Sequence, residues 1–134
     1  MDFFKKKEPV PPKAVKAVEE QTGIRIVRLR GSLDTTATAE IHKFVQKRRL
    51  AKDFEFKDLI LDFQDVSFAD SSAVAELVKT MFEYKKAHHT TVVINMNSAG
   101  RSVLEVLKLD KLIRLCPSES AAIEVLNQKA RKGE

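Results

Sequence analysis

Three polar side chains in a row, Asp70-Ser71-Ser72, follow the apolar run Leu59-Ile60-Leu61-Asp62-Phe63 across the short link Gln64-Asp65-Val66-Ser67-Phe68-Ala69. An amphipathic segment beginning Ala73-Val74-Ala75-Glu76-Leu77 comes next. The order reads as strand, turn and helix, and it sets two hydroxyls at the positive end of a helix dipole. Such a place can carry a phosphate. The first N–H groups of a helix have no intrahelical acceptor, and together with the dipole they favour an anion. The same residues can also cap the helix, since Asp and Ser at a helix start accept hydrogen bonds from first-turn N–H groups.

Catalysis finds little support. A nucleophilic serine needs a base within reach, and the three histidines, His42, His88 and His89, fall on a helix surface or in a distant turn. The chain shows no Gly-rich phosphate loop and no nucleophile elbow. His88-His89 lacks a third ligand nearby, whereas metal sites need three or four, so the pair reads as a solvated turn. The expectation is a protein that is not an enzyme and uses no metal or cofactor. Cys116 is the single cysteine; it reads as a small hydrophobe in the last strand. One cysteine forms no internal disulfide, and with no export signal it fits a reducing, cytoplasmic setting.

The net charge of +5 comes mostly from the ends of the 134-residue chain. Residues 1–13 hold Lys5, Lys6, Lys7 and Lys13 against Asp2 and Glu8, and residues 127–134 hold Lys129, Arg131 and Lys132 against Glu134. The body between them is close to neutral. A nucleic-acid binder concentrates its positive charge on one folded face with aromatics interleaved, so no direct nucleic-acid contact is expected. No apolar run reaches the roughly 20 residues that span a bilayer. Phe3-Phe4-Lys5-Lys6-Lys7 is too short for stable membrane anchoring.

The elements that must position Asp70-Ser71-Ser72 can be read from hydrophobic period and punctuation. Pro9, Pro11 and Pro12 mark 1–13 as a flexible, basic tail. Residues 14–20 form a first strand, Gln21-Thr22-Gly23 a turn, and 24–30 a cleanly alternating strand that pairs back as a hairpin. A helix from 36 to 50 buries Ala37, Ile41, Phe44 and Val45, with Asp34, Thr35 or Thr36 as its cap. Phe54 and Phe56 anchor a charged connector. A continuous apolar strand over 59–63 implies burial on both faces. The helix over 72–87 carries Val74, Leu77, Val78, Met81 and Phe82 on its inward stripe. A strand over 90–96 follows, then a helix opened by Asn97-Ser98 with Val103, Leu104, Val106 and Leu107 inward. A short strand over 112–116 leads to a last helix behind Pro117-Ser118. The domain covers 14–126, and 127–134 is a second flexible basic tail. Strands alternating with helices imply right-handed crossovers onto a mixed, mostly parallel sheet.

This order, with Gly31-Ser32-Leu33-Asp34, the stretch Leu61 to Ser72, Asn97-Ser98-Ala99-Gly100-Arg101-Ser102-Val103-Leu104 and Leu109-Asp110-Lys111-Leu112-Ile113, resembles the STAS domain of bacterial anti-sigma factor antagonists. The resemblance implies an α/β fold of order β-β-α-β-α-β-α-β-α, a mixed sheet with helices packed mainly on one face. It also implies a cytoplasmic regulator that binds an anti-sigma factor serine kinase and is switched off when that kinase phosphorylates Ser72, or less favourably Ser71. Asp34, Asp70, Ser71, Ser72, Ala73 and Glu76 are then the partner-binding residues. Ala73 stands where the family usually has glycine, and His88-His89 where a glycine is common in the turn. The alternative within the same resemblance is an unphosphorylated scaffold subunit of a signalling or lipid-transport ATPase complex; homo-oligomerisation stays open.

Overall fold

The computed structural model describes residues 12–49, 55, 57–110 and 113–131, without the side chains of 45–49, 68, 69, 72, 130 and 131. The Phe54 and Phe56 anchors, and the terminal tails apart from Pro12, Lys13 and 127–131, lie outside the described residues.

The chain runs β1 (Val15–Gln21), β2 (Ile24–Leu33), α1 (Thr35–Arg49), β3 (Asp58–Ala69), α2 (Ser71–Lys86), β4 (Thr91–Ile94), α3 (Ser98–Val106), β5 (Arg114–Cys116) and α4 (Glu119–Arg131). The strands lie side by side in sequence order, β1 antiparallel to β2 and the rest parallel. The hairpin turns at Thr22-Gly23, where Gly23 takes φ +75°, a backbone region open to glycine at no steric cost. From β2 onward every crossover steps one strand in the same direction. Right-handed crossovers of that kind place all their helices on one face.

The core obeys that rule. Ile41 and Phe44 of α1, Val74, Leu77, Val78 and Tyr84 of α2 and Leu104 of α3 pack with Val27, Leu29, Leu59, Leu61 and Val93. On the opposite face α4 lays Ala122 and Leu126 on Ile24, Ile26, Ile60, Val92 and Ile94. Neighbouring residues of one strand, Leu59 and Ile60, thus serve opposite layers, as the two-residue period of a strand requires. The consecutive apolar residues Leu59, Ile60 and Leu61 of β3 are explained by burial on both sides.

Several boundaries differ from the sequence reading. β3 continues to Ala69, so the residues read as a turn after Phe63 are strand. The cause is long-range: the end of β2 pairs Arg30–Leu33 with Asp65–Ala69, with register shifts on the way, one of them at Gly31 with φ +77°. β4 in turn stops at Ile94, ahead of Asn95 with φ +59°. On α2, Phe82 is 44% exposed while Thr80 and Tyr84 are buried, so the inward stripe passes through 77, 80, 81 and 84 and leaves Phe82 outside. Val106 is likewise exposed, at 80%. α4 runs on to Arg131, through residues read as the start of a flexible tail. Its Lys129 Nζ lies 3.1 Å from Asp58 Oδ1, which ties that extension to the start of β3.

The end of α2 shows why glycine suits the turn that follows. His89 N donates to Tyr84 O at 2.9 Å and His88 N to Lys85 O at 3.0 Å, a wrapped helix end with His88 at φ +64°. A side chain with a Cβ pays about 1 kcal/mol for that conformation. His88→Gly is therefore expected to raise stability by about 0.5–1 kcal/mol in urea unfolding. An unchanged or lower midpoint would show that His88 contributes a compensating contact.

Candidate functional site

The parallel register of β2 and β3 builds the site. Leu33 is level with Ala69, so the next residues, Asp34 and Asp70, leave the same sheet edge side by side. Each one caps a helix. Asp34 Oδ1 accepts from Ala37 N at 2.8 Å at the start of α1, and Asp70 Oδ1 accepts from Ala73 N at 2.8 Å at the start of α2. Asp70 has the extended backbone of an N-cap, φ −81° and ψ 166°. Asp70 N donates to Leu33 O at 3.3 Å and joins the two helix starts. One strand further on, Asn97 Oδ1 caps α3 through Gly100 N at 2.8 Å. Three helix N-termini thus share one end of the sheet.

Asp70 is the residue that caps α2. Ser71 is then the first helical residue and is exposed; Ser72 is the second, with its side chain outside the described atoms. Ala73, placed among the partner-binding residues by the sequence reading, is fully buried at 0% exposure and offers no surface to a partner. It sits inside α2, where alanine is the best helix former and glycine would be worse. Glu76 is half-buried and pairs with Lys79 at 2.9 Å on the same helix. Asp65, on the strand leading to the site, pairs with Lys16 at 2.7 Å. The structure therefore brings Asp34, Asp70 and the backbone of Ser71 and Ser72 together, sets Glu76 one turn along α2, and withdraws Ala73 into the core.

The sequence reading passed over the group that holds this edge in place. Asp62 is 4% exposed, inside an apolar strand. Its Oδ1 accepts from Gln64 N at 2.9 Å and Asn95 Nδ2 at 3.0 Å, and its Oδ2 from Arg28 Nη1 at 2.8 Å. Arg28 also donates to Glu119 of α4, at 2.6 Å, and to Glu19 of β1. Burial pushes the Asp62 carboxyl up, but the hydrogen bonds from Asn95, Gln64 and Arg28 outweigh it and hold it below the ordinary carboxylate range. The Arg28 guanidinium is raised, first by its bond to Glu119. A lone carboxylate between apolar residues, with an arginine on the preceding strand, was the available signal.

The histidines lie elsewhere. His88 and His89 follow the far end of α2, whose 16 residues span about 24 Å at 1.5 Å per residue. His89, read as part of a solvated turn, is half-buried with Nδ1 3.3 Å from Asp58 Oδ1. Among the described residues no cluster of three or more His, Cys, Asp or Glu could hold a metal ion. No described helix is long and apolar enough to cross a membrane.

A family model described as the STAS domain matches residues 16–122. Several solved structures share the fold. A putative anti-sigma factor antagonist from Thermotoga maritima superposes with a TM-score of 0.72 at 16% identity, over 83% of this chain and 93% of its own. The anti-sigma factor antagonist SpoIIAA in its unphosphorylated form gives a TM-score of 0.66 at 24% identity, over 84% of this chain and 96% of its own. The Bacillus cell-fate determinant SpoIIAA in its phosphorylated form gives 0.62 at 23% identity, over 82% and 97%.

Asp62→Ala is expected to cost about 3 kcal/mol, because it strips Arg28 and Asn95 of a shared acceptor. The lowered carboxyl also fixes a sign. A group that ionises more readily folded than unfolded adds stability that is complete above the unfolded value, about 3.9, and lost as pH falls through the folded one. Urea unfolding at pH 7 and pH 3 should show the parent losing more stability on acidification than Asp62→Asn. Equal losses would mean that Asp62 does not contribute to the acid sensitivity.

Proposed function

The chain belongs to the STAS domain family, and from that membership and the edge formed by Asp34, Asp70, Ser71 and Ser72 we propose that it is a regulator that binds an anti-sigma factor serine kinase and is released by phosphorylation of Ser72. The observation that carries the reading is the division of labour at the start of α2. Asp70 supplies the cap through Ala73 N, so the two serines behind it are not needed to close the helix. Ala73 supports the reading too: buried and helical, it keeps the serine-bearing turn regular without glycine. Solved structures of SpoIIAA in unphosphorylated and phosphorylated forms have the same fold.

The switch follows from charge. Phosphate on Ser72 would add about −1.5 to −2 charge within the first turn of α2. In the free domain the helix end tolerates it, because the dipole and first-turn N–H groups favour an anion. A partner docked on that edge meets a different balance. Asp34 and Asp70 already make the surface acidic, and the new dianion must be desolvated or repelled by the partner. A loss of about 3 kcal/mol weakens a complex more than a hundredfold. The domain itself carries out no chemistry in this scheme; the kinase supplies ATP and acts in the cytoplasm.

The parent, Ser72→Ala and Ser72→Glu chains can be compared by affinity purification from the native cytosol with quantitative mass spectrometry. A partner with a kinase-type ATPase domain should be retained by the parent and Ser72→Ala and lost about a hundredfold by Ser72→Glu, with phosphate found on Ser72 of the parent. Equal retention by both variants sinks the switch. A transporter ATPase or a large homologous assembly on unmodified serines would establish the scaffold reading instead.

A further inference from the structure

The start of α1 repeats the start of α2. Asp34-Thr35-Thr36-Ala37-Thr38-Ala39-Glu40-Ile41-His42-Lys43 is matched, 36 positions later, by Asp70-Ser71-Ser72-Ala73-Val74-Ala75-Glu76-Leu77-Val78-Lys79. Five residues are identical, two are threonine for serine and one is isoleucine for leucine. The structure repeats with the sequence. Both stretches leave their strands at the same sheet edge, since Leu33 is level with Ala69. Each aspartate carboxylate accepts from the alanine N–H three residues on at 2.8 Å, and each aspartate carbonyl accepts from the fourth residue at 3.0 Å. Thr38 and Val74 are buried at matching positions, and so are Ile41 and Leu77. Thr36 therefore holds in α1 the place that Ser72 holds in α2. It is exposed, and Asp34 rather than Thr36 supplies the cap.

A helix start alone does not single out Thr36. α3 opens at the same edge behind its own cap, Asn97, but continues Ser98-Ala99-Gly100 and shares none of the repeat. What Thr36 has is the whole sequence and backbone setting on which the reading of Ser72 rests. Phosphoryl transfer depends almost entirely on how the acceptor is positioned, and a kinase that seats one of these stretches meets the same residues in the other. We infer that Thr36 is a second phosphoryl acceptor of the kinase that modifies Ser72, an inference that rests on the Ser72 reading. The γ-phosphoryl group of kinase-bound ATP passes to Thr36 Oγ1, its bond to the ADP oxygen breaks, and the hydroxyl proton goes to a base of the kinase. α1 and α2 pack together, and packed helices lie about 8–10 Å apart. The two phosphates are then about one Debye length from each other at 0.1 M salt, on an edge that already carries Asp34 and Asp70. The charge of the first opposes addition of the second, so the domain takes up phosphate in two steps and its release from the partner is graded.

The test is phosphate mapping by mass spectrometry on the full chain purified from the native cytosol, as the parent and as Thr36→Ala, Ser72→Ala and the double variant. Thr36 lies at the surface, and circular dichroism checks the fold of each chain. The expected result is singly and doubly phosphorylated parent, with phosphate on Ser72 and on Thr36. Ser72→Ala should carry one phosphate, on Thr36; Thr36→Ala should carry one, on Ser72; the double variant should carry none. Thr36→Glu, with Ser72 left in place, should retain about tenfold less of the co-purified partner than the parent. Phosphate on Ser72 alone, with Thr36→Ala indistinguishable from the parent, overturns the inference and leaves the Ser72 switch standing. Phosphate on neither residue overturns both. Phosphate on Ser98 to the same extent as on Thr36 also overturns it, because any exposed hydroxyl at this edge would then serve and the repeat would select nothing.

Discussion

The buried Asp62 carboxylate is the constraint around which the rest of the structure is arranged. A buried charge is costly unless paired and hydrogen-bonded. Here Asp62 is met by Arg28 from β2, Asn95 from the end of β4 and the backbone of Gln64 on its own strand. Arg28 carries the link on to β1 and α4 through Glu19 and Glu119. Such a cluster adds less net stability than apolar packing of the same volume. Its main consequence is uniqueness of register. Arg28 and Asp62 are opposite each other in the β2–β3 ladder, and a slip by one residue would turn Asp62 toward the other face of the sheet. From that pairing, two register shifts of one residue each, between Arg28 and Arg30 and between Gly31 and Ser32, bring Leu33 level with Ala69, and hence Asp34 beside Asp70. The geometry of the helix starts is inherited from a contact on the opposite face of the sheet.

The same cluster explains the fork in the sheet. β3 pairs with β4 only from Leu59 to Asp62. At that point Gln64 N and Asn95 Nδ2 both turn to the carboxylate, and β4 ends ahead of Asn95. β3 continues with β2 alone as far as Ala69. The overhang carries Asp70 and the first turn of α2 beyond the end of β4.

How much of this was legible in the sequence depended on the range of the interaction that decides each element. The alternation in 24–30, the apolar run 59–63 and the helical stripes each report a local period, and the element order followed from them. Asp70 as a helix start was also local, since capping uses neighbours three residues away. The extension of β3 was not. Gln64-Asp65-Val66-Ser67 has the composition of a turn, and only pairing with the end of β2 makes it strand. Phe82 has a similar history: residues 81 and 82 both fit a broad apolar face, and the packing of α2 on the core takes Met81 and leaves Phe82 outside. Asp62 was hidden because its side-chain partners, Arg28 and Asn95, lie 34 and 33 residues away in the chain.

The buried Ala73 shows how the fold separates the needs of the helix from those of the site. At a helix start the backbone asks for an acceptor, and a serine is a common way to supply one. Asp70 meets that need for Ala73 N, and the methyl of Ala73 packs inward, so the first turn of α2 is held from both sides. The cap on Ala73 N is thus supplied without a serine side chain. A modification on such a residue alters the surface charge while the cap and the core contact remain in place. An anion in the first turn is moreover favoured by the helix, so the fold has no reason to resist it. Under the proposed switch, the cost of the added charge would fall on the partner docked against the edge rather than on the fold of the domain.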